Sequence, residues 1–183
     1  MAAPFHNLLS FYSSKNPQPS LQTIRLADSL RGNLALGLDF PAAVAIAVGR
    51  HLYLKNTSLF SLDIHIPSVP TKVTLLDGIP IDEKKDYSRA ELLHAAAQNG
   101  WTGQADAFGV WALVSDVKTG LIKGSDVVAF QKGTLLYELE KRRKSREQVL
   151  PLWRGGPISV AGHSWFVRQI FGVEVYQADV KTE

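Results

Sequence analysis

Ser115-Asp116-Val117-Lys118-Thr119-Gly120-Leu121-Ile122-Lys123-Gly124-Ser125-Asp126 is where the architecture of this chain first becomes legible. A calcium-binding helix–loop–helix hand uses a 12-residue loop. Oxygen ligands stand at positions 1, 3 and 5, glycine at 6, an aliphatic residue at 8 and a carboxylate at 12. Gly120, Ile122 and Asp126 keep positions 6, 8 and 12. Ser115, Val117 and Thr119 occupy positions 1, 3 and 5, a set that cannot hold a hard dication. The frame of the hand survives without its ion chemistry.

The same frame fits once more near the start of the chain. Ile24 takes position 8 and Asp28 position 12, but Pro17, Pro19 and Leu21 fall at positions 1, 3 and 5 and the glycine is missing. Two degenerate hands are expected, pairing with each other through Ile24 and Ile122. Helices are expected around them. Phe5, Leu8, Leu9 and Tyr12 lie at helical spacing, and Ser13 to Ser20 reads as a loop. Gln22 to Leu36 reads as a helix stopped by Gly37. The next helix begins near Pro41 and runs to about Leu54. Its Phe40–Gly49 run is the most apolar in the chain. At about half the roughly 20 residues a membrane span needs, it is read as a buried core helix.

Beyond it, Leu62, Ile64 and Ile66 alternate with Asp63 and His65, a short strand. Ser88 and Glu91 form a capping box that opens a helix to about Gln98. Ala105–Val114 and Ser125–Arg143 are further helices, and His163–Phe171 is helical. Leu150–Pro157 reads as a turn region and Val173–Val180 as an edge strand. The fold class is therefore mainly α. Two degenerate hand-like units surround an apolar core helix, with a minor β ribbon and a short C-terminal extension. Residues 1–149 form the helical domain, and residues 150–183 an aromatic-rich extension packed on it.

Composition narrows the function. The chain has 183 residues and no cysteine, which excludes disulfides, thiolate metal sites and a cysteine nucleophile. A net charge of +3 is too small to argue for nucleic acid. The basic run Lys141–Arg146 suits a helix C-terminus, and an anionic membrane surface is its rival reading. Met1–His6 lacks the basic start and long apolar stretch of a secretory signal, so a cytoplasmic location is expected.

In order of features the chain resembles the caleosins, a family that includes haem peroxygenases of lipid droplets. The resemblance covers about Phe5 to Ser145. It is carried by Asp116–Lys123 with Gln131–Glu138, by Phe5–Tyr12 with Leu34–Gly37, by the apolar Phe40–Gly49 and by Ser58–His65. It implies haem held by two histidines. His6 matches one. The motif bearing the other is absent from Pro67–Lys72, leaving His65 as the nearest substitute. The apolar arm is also shorter than the family's and has no proline knot. These departures imply a divergent relative without calcium, oil-body docking or haem.

A scaffold that once held pigment or lipid implies an apolar hollow. The function expected is a cofactor-free enzyme on an apolar substrate. A cyclase or isomerase of terpenoid or polyketide metabolism fits, Diels–Alder pericyclases among them, working by substrate shaping and hydrogen-bond or acid catalysis. His65, Asp63, His94 and Tyr53 are the candidate catalytic groups. Trp101, Phe108, Trp111, His6 and His163 are candidates for substrate contact, and no metal ligand set is read. The alternatives are a haem lipid peroxygenase using His6 and His65 and a non-catalytic lipid-binding protein. Expected partners are a hydrophobic small molecule, at most a peripheral membrane, and no nucleic acid; a homodimer stays open.

Overall fold

Asp39 stops the chain with extended backbone and accepts the Ala42 N–H at 2.9 Å, while Pro41 presets the first turn behind it. Local signals of this kind place most of the helices. The computed structural model describes residues 3–15, 22–56, 61–71 and 75–177. The expected ligand positions Pro17, Pro19 and Leu21, the motif residues Ser58–Phe60 and the strand residues Ala178–Val180 lie outside them.

The described elements follow in chain order. They are α1 (Pro4–Ser13), β1 (Thr23–Ile24), α2 (Leu26–Ala35), α3 (Phe40–Leu54) and β2 (Ile64–His65). Then come β3 (Asp86–Tyr87), α4 (Arg89–Ala96), α5 (Gly100–Val114), β4 (Ile122–Lys123), α6 (Gly124–Gln131), α7 (Leu135–Lys144) and α8 (Val160–Phe171). The fold is mainly helical with small antiparallel ribbons, as the sequence implies. Contacts divide the chain into two units. The first is Met1–Leu8 with Pro70–Leu136, and the second is Leu9–Val69 with Tyr137–Glu183.

In the first unit α5 packs against α4 and α6. Leu92, Ala107, Val110, Val114, Ile122 and Val127 are buried there. The ribbon pairs Tyr87 with Ile122. In the second unit α2 packs against α3. Leu34, Ala35, Leu38, Ala43, Leu150, Val167, Val175 and Tyr176 form its core. Its ribbon pairs Ile24 with Ile64.

Several expectations are corrected. Ile24 pairs with Ile64 and Ile122 with Tyr87. Each hand seen in the sequence pairs instead with a strand, β2 or β3, that the spacing did not mark as belonging to a hand. The second helix begins at Leu26, because Thr23 and Ile24 are drawn into the ribbon. α5 begins at Gly100 and not at Ala105. The helix expected over Ser125–Arg143 is two helices, broken at Gly133 with φ +75°. The apolar helix α3 is no buried core. Only Ala43, Ala47 and His51 are buried, while Phe40, Ile46, Leu52 and Tyr53 face outward. Val173–Gln177 forms no strand, since Tyr176 takes φ +51° and turns the chain.

Candidate functional site

The first unit contains a hollow of about 320 Å³. Pro4, Phe5, Leu75 and Ile79 give it apolar walls; Thr71, Asp77 and Gln131 add polar groups. That size falls within the range of small-molecule sites, and polar surface makes up at least as much of its lining as apolar surface. The loop around it is held in an uncommon shape. Leu75 and Leu76 both have positive φ, +28° and +59°, a region that bulky residues enter only under constraint. The constraint is Gln131 on α6, whose Nε2 donates to the carbonyls of Leu76 and Ile79 at 2.9 Å each. Leu75 and Ile79 are buried, while Asp77 stands exposed at the rim. An organic guest would meet the apolar side chains of Phe5, Leu75 and Ile79 together with the polar groups of Thr71 and Gln131, with a carboxylate at the mouth.

A second polar constellation lies in the second unit. His51 on α3 is fully buried, and its Nε2 lies 2.8 Å from Ser29 Oγ on α2. Its Nδ1 hydrogen-bonds the Leu62 carbonyl, which can only accept, so Nδ1 carries the proton and Ser29 donates to Nε2. Next to it, Arg50 donates to Tyr12 Oη at 2.7 Å and to Asn33 Oδ1 at 3.2 Å. The guanidinium carbon sits 3.7 Å from the Tyr12 ring centre. This is a serine–histidine pair with an oriented base, but both members are fully buried. It ties α2 to α3.

Burial lowers the pKa of His51, and the nearby Arg50 lowers it further against opposing contributions from Leu62, Asp63 and Asp28. Burial likewise lowers that of His163, against Asp39. A histidine with a lowered folded pKa contributes stability that is full above its unfolded value of about 6.5 and is lost as pH falls through the folded one. The urea midpoint is therefore expected to fall as the pH is taken from about 8 to about 5. A His163→Gln variant should lose less over that range, and equal losses would refute the assignment.

The loops that resemble calcium hands use their charges internally. Asp116 accepts the N–H groups of Lys118 and Thr119 at 2.9 and 2.7 Å and the Thr119 hydroxyl at 3.1 Å, which lowers its pKa. Counted from Tyr87 at position 8, Glu91 stands at position 12 of another frame. Its carboxylate caps Ser88 and holds Lys85 Nζ at 2.9 Å. The Ser88 and Lys85 hydrogen bonds lower its pKa to about 2. Among the described residues, no cluster of three His, Asp or Glu side chains is placed to hold a metal.

The expected site residues are distributed as follows. His6, His94, Trp101, Phe108 and Trp111 belong to the first unit, and Tyr53, Asp63, His65 and His163 to the second. Tyr53, His94, Trp101 and Phe108 are exposed. Trp111 is buried and donates to the Gly120 carbonyl at 2.7 Å. Asp63 and His65 flank the buried Ile64, and His65 Nδ1 bonds Ser68 Oγ at 2.7 Å. The hollow is lined by none of them. A second hollow of about 500 Å³, in the second unit, has Lys15, Arg31, Glu140, Lys144 and Glu174 among its lining and likewise contains none. Haem would require an axial histidine or tyrosine. Neither hollow is lined by one, so the lining residues do not fit that group.

Thr74–Gly78 reads from the sequence as a turn-containing segment, and residues 75–78 are turns, but the sequence offered little warning of the roles of Asp77 and Gln131. Asp77-Gly78 is the one local sign, a turn dipeptide. Compared with known proteins, the chain matches no family model, no curated protein and no solved structure.

Proposed function

We propose that the chain is a small-molecule enzyme acting on an apolar substrate without metal or haem, and that the reaction is a cyclisation or isomerisation. The observation that carries this reading is the hollow of about 320 Å³ with Phe5, Leu75 and Ile79 as walls and Asp77 at its mouth. Walls of this kind hold a flexible chain in one reactive shape, which lowers the barrier by removing reactant freedom in advance. Asp77 supplies the proton chemistry. Its carboxylate takes a proton from one carbon of the substrate and returns it to another, so atoms balance and no co-reactant is needed. The motif order that resembles the caleosins supports descent from a lipid-handling scaffold. A haem peroxygenase is less well supported, since the hollow's lining contains no histidine or tyrosine to hold haem iron.

Linear polyenes bearing a carbonyl, terpenoid and polyketide in type, are the substrates to test. Incubation should yield products of unchanged mass, separable by chromatography. Asp77→Asn should bind the polyene normally and slow turnover about 100-fold. Ile79→Trp should fill the hollow and abolish binding. Turnover that survives both substitutions would contradict the proposal.

A further inference from the structure

α8 turns its core side inward through Val167, which is fully buried, with His163 and Phe171 half-buried beside it. Its other side is strongly apolar and open. Trp165 is 66% exposed, Ile170 62% and Phe166 37%. Phe40, at the start of α3, extends this surface. Its ring is stacked with Phe171 at 5.8 Å between centroids and meets Phe166 edge-on at 6.1 Å. The turn leading into α8 is also unprotected, with Ile158 90% exposed and Leu152 and Trp153 mostly so. Exposed apolar side chains grouped in this way mark a docking face more often than free solvent contact.

Charge indicates what docks there. From Gln148 to Val173 the sequence contains Arg154 and Arg168 but no aspartate or glutamate, and the carboxylate of Asp39, next to Phe40, is held in the cap of α3. Arg154 lies over the Trp153 ring at 4.2 Å, and Arg168 is exposed on α8 beside Trp165 and Phe166. Indole rings favour the headgroup zone of a bilayer, where one edge is apolar and the other wet, and arginines favour anionic headgroups. At 12 residues α8 is too short to cross a bilayer, and among the described residues no helix is long and apolar enough to do so. An amphipathic helix of this length lies flat in the interface.

We propose that the outward face of α8, with Phe40, rests on the surface of an anionic lipid bilayer. The basic run at the end of α7 is not this surface, because four of its side chains are engaged elsewhere. Arg143 is buried, Arg142 and Lys144 pair with Glu138 and Glu140, and Arg146 Nε donates to the Tyr176 carbonyl at 2.7 Å.

The test is co-sedimentation of the purified chain with phosphatidylcholine vesicles, with and without about 30% phosphatidylserine. Binding should require phosphatidylserine and weaken with added salt. A Trp165→Ser, Ile170→Glu double variant should bind at least about tenfold more weakly. Both residues are mostly exposed, so the variant should keep its fold, verified by its thermal unfolding. Trp101→Ser, an equally exposed tryptophan in the first unit, should bind like the parent. Failure to sediment, unchanged binding of the double variant, or equal binding to neutral vesicles would overturn the proposal. A dimer in solution that the double variant dissociates would also overturn it, by giving the face to a second copy of the chain.

Discussion

Arg143→Ala is expected to lower stability by about 4 kcal/mol, because two hydrogen bonds from a charged donor are lost and a buried and a partly buried carbonyl lose their donor. Arg143 is 2% exposed. Its Nε donates to the Leu36 carbonyl at 3.1 Å and its Nη1 to the Gln148 carbonyl at 2.8 Å. Leu36 closes α2, so its carbonyl is one of the acceptors that a helix end leaves without an internal partner. The neighbouring Gly37 carbonyl is taken by Tyr176 Oη at 3.2 Å, which also accepts the Leu150 N–H at 3.0 Å. One arginine and one tyrosine thus fasten the end of α2 to the C-terminal segment. Gly37 itself has φ +85°, and a Cβ there would collide with Tyr176 Oη. Arg143→Lys should rescue little, since one ammonium cannot reproduce the planar fork. Tyr176→Phe should cost about 1–2 kcal/mol. Urea unfolding measures each cost, and an Arg143→Ala variant as stable as the parent would remove this clasp from the account.

Gly133→Val should cost about 3 kcal/mol through backbone strain added to overpacking. Gly133 has φ +75°, where a β-branched residue is strained on its own account. Its N–H bonds the Phe130 carbonyl at 2.8 Å and that of Thr134 bonds the Ala129 carbonyl at 2.9 Å, which ends α6. A Cβ there would collide with the Pro4 carbonyl, a backbone atom that no change of rotamer can move aside. Pro4 and Phe5 line the hollow, so the same substitution should weaken guest binding as well as stability. Urea unfolding and calorimetric titration read the two effects separately. A stable variant that still takes the guest would contradict the packing described here.

What was legible in the sequence follows the range of the forces involved. The Ser88–Glu91 box and the Asp39–Pro41 start act within four residues, and both appear where expected. β1 was hidden because Ile24 and Leu26 also suit a helical stripe. What makes Ile24 a strand residue is Ile64, forty positions away. The break at Gly133 was read through because the apolar period resumes on its far side. The apolar run of α3 gave its helix correctly but not its surroundings, since composition does not say which side meets solvent. The hollow depends on Phe5, on Leu75 and Ile79 in one loop, and on Gln131, three pieces far apart along the chain that share no motif. The His51–Ser29 pair spans 22 positions and was equally invisible.

Methyl-labelled isoleucine and leucine followed by NMR, during titration with a carbonyl-bearing polyene, test the central claim most directly. The Leu75 and Ile79 methyls should shift first and saturate together, while those of Ile24 and Ile64 in the second unit stay in place. Shifts confined to other methyls, or none at Leu75 and Ile79, would contradict it.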